Sequence, residues 1–447
     1  MKRNKITYKL PSGWLWTTIG EIGIIASGGT PSTRSTEYWG DDIAWITPAD
    51  LSNYKKKHIS KGTRNITQAG LDYSSAKLLP KDSILFSSRA PIGYVAIAKN
   101  DLATNQGFKN LISTKSLYSD YVYYYFKTIK PLAEEMASGT TFLELSAAKF
   151  SQIPFPLPPL KEQHRIVSTI EELFSELDHA ERELKKAQRQ LEIYRQTLLK
   201  SAFRGELTQK KVKKGKLPKG WKRVKFNDFC ELQRGYDLPL SKIVSGEYPV
   251  VTSSGINGYH NKYKAKGPCL ITGRSGNVGN VYYVEIDYYW PHNTVLFVKD
   301  FRNNLPKYIY YYFLQFNFKS YSSSTAVPTL DRKQLYNEIV PLPTLLEQEQ
   351  IVQELETKLS LIDNLENTIK TNLPKIESFR YVVLKKAFTG KLVPQNPEDE
   401  NASKLLQKIK KEKEDYLNVQ KEVRKKKPKG RLIMKKDKSI KEILKGV

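Results

Sequence analysis

The chain has 447 residues, with 73 lysines and arginines against 46 aspartates and glutamates, a formal charge of +27. This length allows two or three domains, and so large a positive excess favours an anionic partner, with nucleic acid as the leading candidate. The two cysteines, Cys230 and Cys269, cannot form a zinc site by themselves. No apolar run is long enough to predict a membrane span or a signal peptide, so the sequence predicts a cytoplasmic protein with no membrane partner.

Residues 1–155 predict a globule of mixed α+β character. Short β-rich runs such as 93–98 alternate with turn-forming segments such as 28–32. The tyrosine-rich run 121–126 follows a loop and predicts a helix packed on its sheet. Stacking of nucleic-acid bases on these rings is the less favoured alternative.

A long coiled-coil helix is predicted within residues 156–210. From Ile166 to Leu198, apolar residues recur in alternating steps of four and three, which is the a/d seam of a coiled coil. The pattern begins after Pro158 and Pro159 and ends before Gly205, a residue type that commonly ends helices. A helix from Ile166 to Leu198 would be about 48 Å long.

The second half of the chain repeats the first. The segments 156–158 and 202–207 return as 341–343 and 387–392. The sequence therefore predicts a second α+β globule and a second long helix, and two similar helices related by a pseudo-twofold axis would run antiparallel. Packing of each helix in an ordinary bundle or on another protein is the alternative.

The predicted boundaries follow from this repeat. The second globule occupies residues 211–340, and the second helix occupies residues 341–395, where Pro374 should kink or loosen one turn. Residues 396–447 form a basic tail that is predicted to be partly helical. The tail is expected either to contact DNA phosphates or a partner, or to be disordered.

Loop arginines and small polar residues are the candidates for contacting the anionic partner. Arg89 and Arg274 occupy the same position in the two repeats, on loops rich in small residues. An arginine there can fork onto guanine O6 and N7 or bind a phosphate; alternatively, it bonds to loop carbonyls. The candidate DNA contacts are Ser88, Arg89, Thr30, Arg34, Thr140 and Thr141 in the first globule, and Arg274, Ser275, Asn277, Arg234, Ser254, Ser323 and Thr325 in the second.

Motifs for DNA-modifying chemistry are missing from the sequence. It has no Asn/Asp-Pro-Pro-aromatic run for methylating a flipped base, and no phosphate-binding Gly-x-x-x-x-Gly-Lys-Ser/Thr loop. The glycine cluster 273–279 lacks the lysine. These absences favour a non-catalytic DNA-recognition subunit. The alternatives are an autonomous DNA methyltransferase or nuclease with unrecognised motifs, and a coiled-coil adaptor whose globules bind protein.

The repeated helix block resembles the specificity subunit of Type I restriction–modification enzymes. The resemblance lies in the doubled Pro-Leu-Pro, Glu-Gln and Ile-Val opening, and in the closing Ala-Phe-x-Gly-x-Leu at 202–207 and 387–392. The segments 28–32 and 45–51 are similar to the family's first target recognition domain, and 392–403 is similar to the segment after its second helix. Together these matches cover roughly residues 10–415.

The resemblance implies a division of labour among subunits. Each globule would be a target recognition domain that reads one half of a bipartite site in double-stranded DNA, and the helices would space the halves and dock two modification subunits. The resemblance implies no catalytic residue, cofactor or metal in this chain. S-adenosylmethionine would be bound by the modification subunits, and ATP and Mg²⁺ by restriction and translocase subunits.

Overall fold

The computed structural model describes residues 8–139, 143–209, 216–323 and 328–426, and these residues form two compact units. Unit 1 lies within Met1–His179 and Lys375–Val447, and unit 2 lies within Ala180–Pro374. Unit 2 is therefore continuous in sequence, whereas unit 1 is built from two separate stretches. The α+β fold class with two similar globules and two long helices is confirmed.

Helices and strands are numbered here in chain order. The elements up to the end of the first long helix are β1 Leu15–Thr18, α1 Ile19–Ile22, β2 Gly23–Ser27, β3 Trp39–Ile43, β4 Trp45–Ile46, β5 His58–Ile59, α2 Gln68–Asp72, β6 Ile84–Ser88, β7 Ile92–Ala98, β8 Ala103–Thr104, β9 Lys109–Ser113, α3 Ser119–Phe126, α4 Lys130–Met136, α5 Ala147–Ser151, β10 Pro154–Leu157 and α6 Leu160–Ala202. The main sheet of unit 1 has the order β2-β9-β6-β7-β5, and β1 pairs with β10.

The second repeat continues the numbering. Its elements are β11 Lys222–Lys225, α7 Phe226–Phe229, β12 Glu231–Arg234, β13 Tyr248–Thr252, β14 Gly255–His260, β15 Ala265–Lys266, β16 Cys269–Gly273, β17 Val281–Val284, β18 Tyr288–Pro291, β19 Val295–Asp300, α8 Pro306–Gln315, β20 Ser322–Ser323, β21 Thr329–Leu330, β22 Ile339–Leu342 and α9 Leu345–Phe388, followed by α10 Ala402–Lys426. The sheet β12-β19-β16-β17 has the same strand order as β2-β9-β6-β7 in the main sheet of unit 1, and β11 pairs with β22 as β1 pairs with β10. A second sheet, β14-β13-β18-β15, belongs to unit 2.

Each core is built around a tyrosine-rich helix. In unit 1, Tyr121 of α3 is fully buried and donates a hydrogen bond from its hydroxyl to the Pro156 carbonyl at 2.9 Å. In unit 2, Tyr308 of α8 is equally buried. The prediction that these runs pack on their sheets rather than face solvent is confirmed.

The long helices contribute to both units, and in each unit α6 and α9 pair antiparallel. In unit 1, Arg380 of α9 forms an ion pair with Asp178 of α6. In unit 2, Arg195 of α6 forms ion pairs with Asp363 and Glu366 of α9. α9 continues through Pro374, although that residue has no N–H to donate to the preceding turn.

The tail helix α10 packs on unit 1. Its residues Ala402, Leu405 and Ile409 are buried in the core of that unit. Glu412 accepts hydrogen bonds from the backbone N–H and hydroxyl of Ser116. The predicted helical part of the tail is thus a folded element, whereas residues 427–447 lie outside the described residues. Among the described helices, none is long and apolar enough to cross a membrane.

Candidate nucleic-acid interface

The Arg89 loop of unit 1 is held to a neighbouring turn by short hydrogen bonds. Ser88 is the last residue of β6, and the carbonyl of Gly107 accepts from its backbone N–H at 2.7 Å and from its hydroxyl at 3.0 Å. The chain after Arg89 turns at once, because Ala90 has a φ of +45°. This turn fixes where the base of the Arg89 side chain stands.

Arg89 belongs to a three-residue charge cluster. Its Nη1 lies 3.3 Å from one carboxylate oxygen of Glu144, and the Nζ of Lys109 lies 3.2 Å from the other. Lys109 also donates to the Ser88 hydroxyl at 3.3 Å. The side chains of Arg89 and Glu144 are about one-third and two-fifths exposed, whereas that of Lys109 is only 7% exposed. The cluster therefore presents Arg89 and Glu144 to solvent, with buried Lys109 behind them.

The remaining candidates of the first globule differ in their placement. Thr30 donates a hydrogen bond to the side chain of Gln106, which adjoins Gly107, so Thr30 stands at the same edge as Arg89. Within the described residues, the contact shown for exposed Arg34 is a backbone hydrogen bond to the Ser32 hydroxyl, and nothing brings it to the Arg89 loop. The candidates Thr140 and Thr141 lie outside the described residues.

In unit 2 the Arg274 loop is anchored on Thr294. The Thr294 carbonyl accepts hydrogen bonds from the backbone N–H groups of Arg274 and Ser275, at 2.8 and 3.2 Å. The Arg274 side chain donates from Nη1 to the Asn293 carbonyl at 3.3 Å. The alternative of a loop arginine bonded to a carbonyl thus holds for one of its nitrogens.

Two further candidates of the second globule meet at this loop. The Asn277 amide donates to the Ser254 hydroxyl at 3.1 Å. The loop also lines a cavity of about 700 Å³, whose walls are Gly276, Asn277, Val278, Gly279, Asn280, Lys319, Ser322 and Pro328. Ser323 ends the short strand β20, which pairs with β21, and Thr325 lies outside the described residues.

The Arg274 guanidinium lies in the electrostatic field of Arg234 and of two aspartates. Burial lowers the pKa of Arg274, and the nearby positive charge of Arg234 lowers it further. Arg234 lies 3.4 Å from Asp237, whose charge acts on Arg274 in the opposite direction. Asp331 acts on Arg274 in the same direction as Asp237, so the edge holds two arginines and two aspartates. Arginine N–H groups at such an edge can donate to phosphate or to the acceptor atoms of a base.

The two repeats place their second cation on equivalent strand pairs. Lys109 of β9 stands in register with Ser27 of β2, and Arg234 of β12 stands in register with Leu296 of β19. Each interface therefore combines a loop arginine with a second basic residue at the same end of its sheet. Sequence reasoning found Arg234 but missed Lys109, whose position inside a buried strand resembles a core position.

Glu144 was also missed, although the repeat offers a signal for it. The stretch containing Glu144 pairs with the Arg89 loop, and the stretch containing Thr329 pairs with the Arg274 loop. Glu144 and Thr329 are separated by the same offset as Arg89 and Arg274. However, Arg89 pairs with Glu144 whereas Ser275 pairs with Thr329, so the structure aligns Arg89 with Ser275 and Arg274 with Ser88, and the predicted equivalence of the two arginines is wrong by one residue. The difference in charge between Glu144 and Thr329 can thus be read from the sequence, but the contact of Glu144 with Arg89 cannot.

The described part of the chain offers few side chains suited to catalysis. No group of three potential metal-ligating side chains lies close together there. Both cysteines are buried and unpaired, and burial raises the pKa of Cys269 to about 12, so its thiol stays protonated at neutral pH. Burial lowers the pKa of His292, whose ring lies 3.1 Å from the Thr294 hydroxyl. The arrangement is suited to binding rather than to nucleophilic attack.

Comparison with known proteins gives a consistent set of relatives. The family model of the Type I restriction modification DNA specificity domain matches residues 11–188 and 218–375. The MjaIX specificity subunit of Methanocaldococcus jannaschii is 37% identical over 59% of this chain and 60% of its own length. The EcoKI specificity subunit of Escherichia coli is 22% identical over 91% of this chain and 96% of its own length. The chain thus spans less than two thirds of the first of these relatives and nearly all of the second.

Two solved structures share the fold. The HsdS subunit of Thermoanaerobacter tengcongensis aligns with 86% of this chain and 99% of its own, with a TM-score of 0.63 and 19% identity. A chain from a study of complex assembly and conformational transition of the type I R-M system aligns with 86% of this chain and 100% of its own, with a TM-score of 0.66 and 19% identity. At this identity the likeness concerns the fold alone.

Proposed function

Since the chain belongs to the Type I restriction modification DNA specificity domain family, we propose that it is the non-catalytic subunit that gives a Type I restriction–modification complex its DNA sequence specificity. Each globule reads one half of a bipartite site in double-stranded DNA. The observation that carries this proposal is a loop arginine in each globule, Arg89 and Arg274, just beyond equivalent strands of the two sheets. The two arginines lie one residue out of register, since Arg274 makes the backbone hydrogen bonds that Ser88 makes in the first globule.

The contact residues divide between the half-sites. Arg89 and Thr30 contact the first half-site, and Arg274, Arg234, Asn277, Ser254 and Ser275 contact the second. The sequence-based candidate Ser88 is not among them, because its side chain is fully buried and bonded to Gly107 and Lys109. Arginine can discriminate guanine from other bases through bidentate hydrogen bonds, and the hydroxyl and amide groups supply further contacts to bases and phosphates. The net charge of +27 supports sequence-independent attraction to the duplex. Arg34, Thr140, Thr141, Ser323 and Thr325 remain candidates on sequence grounds alone.

The partners follow from the family. The helices α6 and α9 dock two modification subunits, which bind S-adenosylmethionine and methylate adenine. Restriction and translocase subunits bring ATP and Mg²⁺ when they are present. The chain itself carries no cofactor and acts in the cytoplasm.

Mapping methylated adenines in the host genome, with the gene intact and deleted, tests the proposal. We expect methylation to disappear from one split motif, consisting of two short half-sites around a fixed gap. Arg89→Ala should relax one half-site only and Arg274→Ala the other, so each variant serves as the control for the other. Unchanged methylation after co-expression with the modification subunits would refute the proposal. Methyl transfer or DNA cleavage by the purified chain alone would show instead that the chain is itself an enzyme.

A further inference from the structure

We infer that Glu144 and Lys109 are positioning residues for the first half-site. Glu144 holds the Arg89 guanidinium in the orientation in which it reads a base edge, and Lys109 neutralises Glu144. This inference rests on the proposed function and deepens it, because it assigns the residues that govern base discrimination without themselves contacting a base.

Lys109 is buried and is held by two acceptors. Its side chain is 7% exposed and reaches two acceptors, the Glu144 carboxylate at 3.2 Å and the Ser88 hydroxyl at 3.3 Å. A buried ammonium without a counterion is strongly destabilising. Lys109 therefore joins the Glu144 carboxylate to the side chain of Ser88, the residue that precedes Arg89.

The two carboxylate oxygens of Glu144 accept hydrogen bonds from different residues. One accepts from buried Lys109, and the other accepts from Nη1 of Arg89 at 3.3 Å. The Glu144 backbone is fixed as well, since it exchanges hydrogen bonds with Ser138, at 3.0 and 3.1 Å. Because only one guanidinium nitrogen is engaged by Glu144, the other N–H groups of the planar fork can face a base.

Lys109 also makes the carboxylate compatible with DNA. A bare carboxylate beside a DNA-reading arginine would repel phosphate and cancel the charge of that arginine. With Lys109 present, the three side chains sum to one positive charge. The cluster thus restrains Arg89 while keeping its attraction for an anionic ligand.

The second globule lacks this arrangement at the equivalent positions. Thr329 stands where the repeat offset places Glu144, and Leu296 takes the register position of Lys109. Arg274 is held instead by the carbonyl of Asn293. The repeat therefore supplies an internal control, because changes at Glu144 should affect one half-site and leave the other as it was.

Binding of the full chain, in complex with its modification subunits, to DNA duplexes tests the inference once the split motif is mapped. Dissociation constants are measured for the cognate duplex, for each single-base substitution in both half-sites, and for an unrelated duplex. The variants are Arg89→Ala, Glu144→Gln and the double variant Lys109→Met/Glu144→Gln. Glu144→Gln leaves the buried ammonium of Lys109 without a counterion and could therefore prevent folding. The double variant removes that ammonium as well, so the inference can still be tested if Glu144→Gln alone does not fold. Glu134→Gln, which removes a carboxylate paired with exposed Lys130 in the same globule, is the matched control.

We expect Glu144→Gln and the double variant to lose about tenfold in discrimination at the same base pair that Arg89→Ala affects, within the range of one bidentate base contact. Binding to the unrelated duplex should stay the same or tighten for Glu144→Gln, which removes a negative charge, and should stay the same for the double variant, which removes one charge of each sign. Discrimination at the second half-site should be unaffected in both variants, and Glu134→Gln should keep discrimination at both half-sites. Intact discrimination, a proportional loss of cognate and unrelated binding, or losses at different base pairs would overturn the inference. If the unaltered chain with its partners prefers no split sequence, the proposed function fails and the inference fails with it.

Discussion

Phe388 near the end of α9 closes the core of unit 1, and its truncation should loosen that unit alone. The ring is 4% exposed and lies against Tyr121 and Tyr125 of α3, with ring centroids 5.3 and 5.1 Å apart. In unit 2, Phe203 makes the matching contacts with Tyr308 and Tyr312, at 5.3 and 5.2 Å. Phe388→Ala and Phe203→Ala therefore remove equivalent ring contacts from the cores of unit 1 and unit 2, respectively.

The expected magnitude follows from the burial of the ring. Replacing a buried phenylalanine by alanine costs about 3–5 kcal/mol. Since every 1.4 kcal/mol corresponds to a factor of about ten, amides that exchange through opening of the affected unit should exchange about two to four orders of magnitude faster. Phe379→Ala on α9 is the control, because that ring is 54% exposed and should change protection little.

Hydrogen exchange followed by mass spectrometry separates the two cores within one molecule. Phe388→Ala should deprotect residues 119–126, and Phe203→Ala should deprotect residues 306–315. Deprotection of 306–315 by Phe388→Ala, or equal deprotection of both segments by either variant, would refute the assignment of the end of α9 to unit 1.

Three further predictions concern a backbone turn, a carboxylate and a cation. Gly390→Ala should destabilise unit 1 more than Gly13→Ala in chemical unfolding, since both have positive φ but only at Gly390 would a Cβ collide with Pro11, 2.1 Å from its Cγ; equal losses would contradict this. Burial raises the pKa of Asp50, but hydrogen bonds from two threonines outweigh it and hold the pKa below its usual value. The stabilisation is therefore present above about pH 4 and lost as pH falls through the lowered pKa, so Asp50→Asn should flatten the pH dependence of amide protection at 48–51, and an unchanged profile would contradict the sign. Arg234→Gln should make the negative slope of log K against log salt for DNA binding shallower by about 0.9, the value for one phosphate contact. An unchanged slope together with lost discrimination at one base pair would show instead that Arg234 contacts a base.

Much of the fold could be predicted because its signals are local. The 3.5-residue seam from Ile166 to Leu198 is read from neighbouring residues, and α6 spans it without interruption. An alignment of the chain with itself was enough to predict an arginine on each loop, although the structure places Arg89 and Arg274 one residue out of register. For the same reason the tyrosine runs could be assigned to packed helices before any contact was known.

The rest depends on contacts between distant residues. Lys109 and Glu144 meet only because β9 and the stretch before α5 both flank the Ser88–Arg89 segment, and the register that brings them there is set by several strands at once. α10 was harder still, because its lysines suggest a solvated tail. The packing of α10 on unit 1 depends on residues far away in the chain. Lys410, for example, pairs with Glu21, which lies nearly four hundred residues earlier.

The discontinuity of unit 1 sets an order for folding during synthesis. Unit 2 is complete once residue 374 has been made, whereas the core around α3 waits for Phe388 and α10. At about 5–20 residues per second, the ribosome needs roughly 10–40 s to make residues 180–374, and for that time the nascent first globule keeps an unfilled apolar face. We therefore expect unit 2 to fold first and unit 1 to complete its core only after the residues that follow unit 2 have been made, with chaperones binding the exposed apolar surface around Tyr121 and Tyr125 in the meantime.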